Sequence, residues 1–372
     1  MTTPKKGTVD FPLLILSIGL VLFGLVMVFS ASSMMAAYWH DDPLYFSKRQ
    51  VIFLFLGLMG LIFFSSFPYE RFRKLALPLL LIALFSLFLV LIIGTGPQGS
   101  GIRSWIRIGS FSIQPAEFAK LVMIIYLASF ISKRGNTFRN FKTGLVPALI
   151  VVGIVAGTIM LQPDLGTTSV LLITSMIIMF VGGTKYGHLL VIAAISIFPI
   201  ITIINQKQYL VDRFTTFLNP FEDEQKSGYQ LARSLYAFGN GGITGTGFGQ
   251  SVLKLQYLPE AHNDFIFAII GEEFGLIGSF LFILVYVLFI WRGIVIALRC
   301  PDRLGMLLGI GIMSMFGIQA MVNIGGVTAS IPLTGVTLPL ISYGGSSLLV
   351  SLAAIGILLG ISRRQNLPQS RE

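Results

Sequence analysis

One cysteine in 372 residues, Cys300, excludes an internal disulfide and with it the small secreted scaffolds that depend on such bonds. A lone thiol of this kind packs as a small apolar group, so redox chemistry is not expected. Charge is scarce too: 11% of residues are Asp, Glu, Lys or Arg, where a soluble domain carries about 25%. With 54% hydrophobic side chains beside that deficit, a water-soluble globule, a disordered chain and a collagen-like repeat are all excluded. What is there instead is long uncharged stretches, such as Phe11 to Ala37, and a mean hydropathy of +0.84. A run of about 18 or more apolar residues is the signature of a helix crossing a bilayer. The composition therefore predicts an all-α polytopic membrane protein.

Ten spans are expected, at roughly 11–36, 49–67, 75–94, 115–132, 145–161, 167–183, 187–204, 264–291, 305–328 and 344–361. Placing Lys5 and Lys6 in the cytoplasm puts both termini there. The inner segments are then 1–10, 68–74, 133–143, 184–186, 292–304 and 362–372. They hold 16 of the 26 Lys and Arg but 4 of the 16 Asp and Glu, the cationic excess that cytoplasmic loops carry. The formal charge of +10 is thus accounted for by topology and by attraction to anionic lipid, and no nucleic acid partner is needed.

The first span follows two lysines as a signal peptide would. Its apolar core is too long, however, and no small-residue cleavage site follows, so it is expected to stay as an anchor. Without repeats, low-complexity tracts or a soluble appendage, residues 1–372 are expected to form one integral-membrane domain. The inner connections are mostly short, whereas the outer side carries 95–114, 329–343 and a large loop between helices 7 and 8, about 205–263. A connection of that length is more often functional than idle, which places any chemistry outside.

Inside that loop, residues 229–238 (YQLARSLYAF) suit an amphipathic helix lying on the outer leaflet with Arg233 upward. The glycines between Gly239 and Gly249 lack the strand before and the Gly-Lys-Ser/Thr after that a phosphate-binding loop requires, so flexible turns are the expectation. Next comes residues 257–268 (YLPEAHNDFIFA), where a polar cluster meets a span. Asp264 has two readings there. It could cap the eighth helix, or it could be a proton acceptor, since Glu260 and His262 crowd the same turn and Phe265 and Phe267 make the surroundings apolar. Below it, Ala268, Gly271, Gly275 and Gly278 share one helix face, which suits either a close helix neighbour or a lipid tail. Glu272 and Glu273 lie off that stripe and deeper, where ionisable groups need partners.

Three more clusters belong to the outer side. Arg103 to Arg107 (RSWIR) precede Gln114 to Lys120 (QPAEFAK), in which Pro115 suits a first helical turn and Glu117 and Lys120 share a face. An ion pair is one reading, and Lys120 with Arg103 holding an anionic group is the other. Asp164 in QPDLGT suits a cap for the sixth helix. Residues 338–347 (LPLISYGGSS) open the last helix with Ser342, Ser346 and free amides, which make either an anion site or an ordinary cap.

QPAEFAK at 114–120, QPDLGT at 162–167, YLPEAHNDFIFA at 257–268 and ISYGGSS at 341–347, in that order and covering nearly the whole chain, closely resemble the SEDS family. That family comprises the FtsW, RodA and SpoVE proteins of shape, elongation, division and sporulation. The form EAHND with GVTLPLISY is nearer the FtsW/SpoVE arm than RodA. The resemblance implies ten membrane helices and a peptidoglycan glycosyltransferase that polymerises lipid II at the outer face of the bacterial plasma membrane. Its essential carboxylate falls on Asp264 here. Arg103, Glu117, Lys120, Asp164, Glu260, His262, Ser342 and Ser346 are then the candidate substrate-binding residues.

The resemblance also implies a class B penicillin-binding protein as the partner transpeptidase, and allows a divalent cation, Mg or Mn, whose ligands are unknown. The chain departs from some division members in its short termini, with about ten residues outside the spans at either end; contacts those tails make to other divisome or sporulation proteins are therefore not carried over. Two rival functions are a lipid II flippase, with Glu272 and Glu273 lining a path, and a non-catalytic scaffold for the transpeptidase.

Overall fold

The computed structural model describes residues 7–96, 103–109, 111–188, 190–191, 208–222, 228–254 and 258–365. Nine membrane-scale helices are found among them: α1 (Phe11–His40), α2 (Tyr45–Ser66), α3 (Phe72–Ile93), α4 (Pro115–Arg134), α5 (Val146–Met160) and α6 (Leu165–Val181). After two shorter helices, α7 (Gln208–Leu218) and α8 (Tyr229–Gly241), come α9 (Ile266–Arg299), α10 (Arg303–Val327) and α11 (Gly345–Gln365). Eight, including short flanking turns in some, are long and apolar enough to cross a membrane, and α6 is a shorter apolar helix. The span expected at 187–204 lies largely outside the described residues.

Sequence-level boundaries hold to within about four residues except at α9, which runs on to Arg299. α4, α10 and α11 are the most buried spans, whereas α2 and α3 turn Phe55, Phe63, Ile82, Phe85 and Ile92 outward. In a bilayer such apolar faces meet lipid, so they carry no desolvation cost.

The loops sort to two ends, as the alternation of spans requires. At one end Arg292 pairs with Asp10, whose backbone N–H donates to Ser362; Arg73 pairs with Asp302, Arg364 with Glu70, and Arg303 donates to the Gly182 carbonyl. These are the basic segments expected inside. At the other end Gln114 meets Asp164 and Ser346, and Ser342 meets Asn263.

Two features depart from the all-helical expectation. The 95–114 connection contains an antiparallel hairpin, β1 (Ile106–Ile108) with β2 (Phe111–Ile113). Its alternation was too short to read beside ten long spans.

The second departure is a break in α9. Gly275 sits at φ 66°, ψ −165°, a conformation that side chains rarely adopt. The break frees backbone groups that a membrane interior would penalise. The glycine-rich stretch after α8 satisfies them: the carbonyls of Glu272 and Glu273 accept from Thr246 and Gly247 N–H, and Leu276 and Ile277 N–H donate to the carbonyls of Gly242 and Ile243. A Cβ at Gly245 would come within 2.2 Å of the Glu273 carbonyl oxygen. The glycines are a backbone clamp, not the flexible turns expected of them.

The same docking decides the stripe below Asp264. Gly271 faces the Phe238 ring of α8 and Gly275 faces Gly245, so protein occupies that groove and close packing is the observed use. α8 turns one side into the protein: Leu231, Ala232, Ser234 and Ala237 are buried, and Ser234 Oγ donates to the Val327 carbonyl at 2.7 Å.

Candidate active site

Asp264 lies in the turn before α9, but it is not the cap. Phe265 takes that position, with no side-chain cap bond, and the helix begins at Ile266. No described side chain donates a hydrogen bond to the Asp264 carboxylate, whereas its backbone carbonyl accepts from Asn323 Nδ2 at 2.7 Å. Burial in the first place, then the nearby charges of Glu260 and Asp164, raise this carboxyl from the ordinary 3.8 to about 7, against the opposing pull of Arg213. A carboxyl poised there is matched to taking a proton at neutral pH.

Facing it is the segment between α10 and α11. Gly335 is exposed at φ 73°, and a methyl group there would lie 3.4 Å from Asp264 Oδ2 and 3.9 Å from Arg213 Nη2. Glycine thus leaves the exposed space beside the acid and Arg213, the Gly335 opening, free of a side chain. Arg213, on α7, donates to the Leu333 carbonyl at 3.2 Å. The segment is held from below by α10: Asn323 Nδ2 also reaches the Val336 carbonyl at 2.7 Å, and Gln319 Nε2 reaches that of Thr337 at 3.1 Å.

The other expected residues fall into place unequally. Glu117 and Lys120 form an ion pair of 2.7 Å, and Lys120 Nζ also donates to Gln319 Oε1 at 2.8 Å. Lys120 is 2% exposed, so the alternative in which it stands ready for an anion is not what the geometry presents. Asp164 does cap α6, accepting from Thr167 N–H at 2.9 Å, and its second oxygen accepts from Gln114 Nε2 at 3.2 Å. Burial raises its pKa.

Ser342 Oγ accepts from Leu338 N–H and donates to the Asn263 carbonyl, while Ser346 Oγ accepts from the Gln114 N–H. Both hydroxyls tie loops together. The Gly344 N–H, just before α11, donates to Gln50 Oε1. His262 is buried against Phe46 and Tyr343, and burial pushes its pKa down to about 4. It is neutral in the working range and shapes the turn.

Glu260 is exposed, bonded to Asn263 Nδ2, and held at φ 57°. A non-glycine residue there stores backbone strain of order 1–3 kcal/mol, a feature concentrated at functional turns. Arg103 is exposed beside the hairpin, and no described contact joins it to Asp264 or Lys120. Among the described residues no three His, Cys, Asp or Glu side chains come together. The described side chains by themselves therefore form no divalent cation cage.

Arg213, Gln319, Asn323 and Gly335 were not singled out as site residues from sequence. Gln319 and Asn323 left a signal, two amides at i and i+4 in an apolar span, which is the spacing of one helix face. Arg213 left none, because nothing local says which way a loop helix folds back.

Deeper in the bundle, Glu273 pairs with Lys254 at 3.1 Å and accepts from Ser30 at 2.6 Å, and Glu272 takes Ser251, Asn240 and the Val252 N–H. The partners those acids needed come mostly from the end of the long loop.

The family model of FtsW, RodA and SpoVE, described as "Cell cycle protein", matches residues 11–367. Stage V sporulation protein E of Bacillus subtilis (strain 168) is 45% identical over 361 residues, 97% of this chain and 99% of that one. The probable peptidoglycan glycosyltransferase FtsW of Escherichia coli O6:H1 is 39% identical over 365 residues, 97% and 88%. Among solved structures, a chain from "Structural coordination of polymerization and crosslinking by a peptidoglycan synthase complex" has a TM-score of 0.79 at 31% identity, covering 97% of this chain and 99% of that one. The rod shape determining protein RodA of Thermus thermophilus has a TM-score of 0.70 at 30% identity, covering 97% and 98%. The chain belongs to the FtsW, RodA and SpoVE family.

Proposed function

We propose that the chain is a peptidoglycan glycosyltransferase that polymerises lipid II at the outer face of the plasma membrane, with Asp264 as general base. The C4 hydroxyl of one N-acetylglucosamine attacks the anomeric carbon of a lipid-linked N-acetylmuramic acid. As the new C–O bond forms, the hydroxyl proton passes to Asp264. The bond from the anomeric carbon to undecaprenyl diphosphate breaks with inversion, and its electron pair leaves on the diphosphate. Such a step needs a base and something to stabilise the departing anion.

The observation that carries this reading is the placement of Asp264: its main chain is held by Asn323, its carboxylate is not consumed by a cap or by a bond from a described side chain, and its proton affinity is raised. Arg213, next to the same opening at Gly335, is the nearest described candidate to steady the diphosphate. Its planar fork suits phosphate oxygens. Arg103, exposed above, could meet the lipid headgroup on approach, while Glu117, Lys120, Asp164, Ser342 and Ser346 build the frame.

Gel analysis of products from purified chain and lipid II tests the reading. Glycan ladders from the parent and none from Asp264→Asn are expected, and ladders from the variant near the parent rate would refute it. The transport alternative needs Glu272 and Glu273 along a path, yet both are bonded within the protein. The relative named for coordinated polymerisation and crosslinking supports a partner of the class B penicillin-binding type.

A further inference from the structure

Gln319 and Asn323 stand one turn apart on α10, 2% and 4% exposed. Burying an amide in an apolar span is unfavourable unless it is bonded; the NH2 groups of both donate to the same short segment, while Asn323 Oδ1 has no partner among the described residues. Asn323 Nδ2 donates to the carbonyls of Val336 and Asp264, each at 2.7 Å, and Gln319 Nε2 donates to that of the next residue, Thr337, at 3.1 Å. Gln319 Oε1 accepts from Lys120 at 2.8 Å. One face of α10 thus joins three parts of the outer site: the turn bearing Asp264, the segment bearing Gly335, and the Glu117–Lys120 pair.

We infer that Asn323 and Gln319 are positioning residues for glycosyl transfer, Asn323 setting where Asp264 stands against the Gly335 opening and Gln319 keeping that segment in register with α4. The inference rests on Asp264 being the base. Neither amide touches the reacting atoms. Asn323 acts through the main chain of Asp264, so losing it leaves the acid in place chemically but frees its turn.

That distinction has a readable consequence. Among the described residues the charged groups facing Asp264 are Glu260 on its own turn, Asp164 at the start of α6 and Arg213 on α7, and none of them bonds Asn323. A loosened turn admits water, and the carboxyl then drifts back toward its ordinary proton affinity. A shift of about 1 Å in a reacting group can cost about 10²-fold in rate.

The test measures kcat and KM for lipid II polymerisation by the purified full chain across roughly pH 5 to 9, where the base titrates. Asn323→Ala, Asn323→Ser, Gln319→Leu and Asp264→Asn are compared with the parent. For Asn323→Ala, kcat is expected to fall about 10²-fold with KM within about threefold of the parent, and the acid limb of the profile to move to lower pH. Asn323→Ser, which keeps one donor, should recover part of the rate and part of the limb. Gln319→Leu should lower kcat and leave the limb in place.

Parental kcat and limb in folded Asn323→Ala would overturn the inference, as would a rate loss with the limb unmoved. If Asn323→Ala does not fold, Asn323→Ser is judged by the same two readings. An active Asp264→Asn would instead sink the functional reading itself, whereas a dead Asp264→Asn beside a parental Asn323→Ala would sink only this one.

Discussion

The Asn323 side-chain amide lies 2.7 Å from the Asp264 carbonyl oxygen, so α10 holds the acid by its backbone, and no described side chain donates to its carboxylate. A cap would have consumed that carboxylate, and the helix start at Ile266 instead goes without one.

Asp264→Asn should lower polymerisation by roughly 10²–10⁴-fold, the usual contribution of a positioned base. It should not lower the melting temperature, because the half-buried charge it removes is one the folded state disfavours. Product gels beside thermal unfolding in detergent check both. Loss of activity together with a large loss of stability would point to a structural acid.

The pH dependence has a definite sign. Only the ionised carboxylate accepts a proton, so kcat/KM should rise with pH up to about 7 and level off above it. Folding responds oppositely. Between about 4 and 7 the unfolded chain has released this proton while the folded one retains it, so this group's contribution to stability falls as pH rises through that window. Relative to Asp264→Asn, the parent should lose melting temperature from pH ~4.5 to ~7.5; parallel curves would contradict the raised proton affinity.

Gly335→Ala adds a methyl group 3.4 Å from Asp264 Oδ2 at a φ of 73°. Backbone strain of about 1 kcal/mol and partial filling of the opening are both expected. Steady-state kinetics should show reduced kcat/KM, and a parental value would mean that substrate does not enter beside Gly335.

Arg213→Gln should raise the KM for lipid II more than it lowers stability, since the guanidinium borders the opening and donates to Leu333. An unchanged KM with parental kcat would remove Arg213 from diphosphate recognition.

Lys254 and Glu273 form a buried pair at the broken helix. Removing one partner leaves an uncompensated charge, costing about 3–5 kcal/mol. Lys254→Met should therefore lower the melting temperature sharply, and adding Glu273→Gln should restore most of it. If the double variant is no better than the single, the clamp depends on the ions themselves.

The class of protein, the alternation of its spans and the gathering of its polar clusters between particular spans were legible in the chain, because a bilayer imposes length, apolarity and charge bias on each span separately. Asp264 was legible with them, since Glu260, His262 and Phe265 are its neighbours in the chain. The clamp of Gly241–Gly247 on the Gly275 break, and the convergence of Arg213, Gly335, Asn323 and Gln319 on Asp264, were decided by tertiary structure alone. Each joins elements far apart in sequence, through backbone groups and amide side chains whose partners no local pattern specifies, and unpaired polar groups in an apolar interior are costly enough that the fold must bring those partners in.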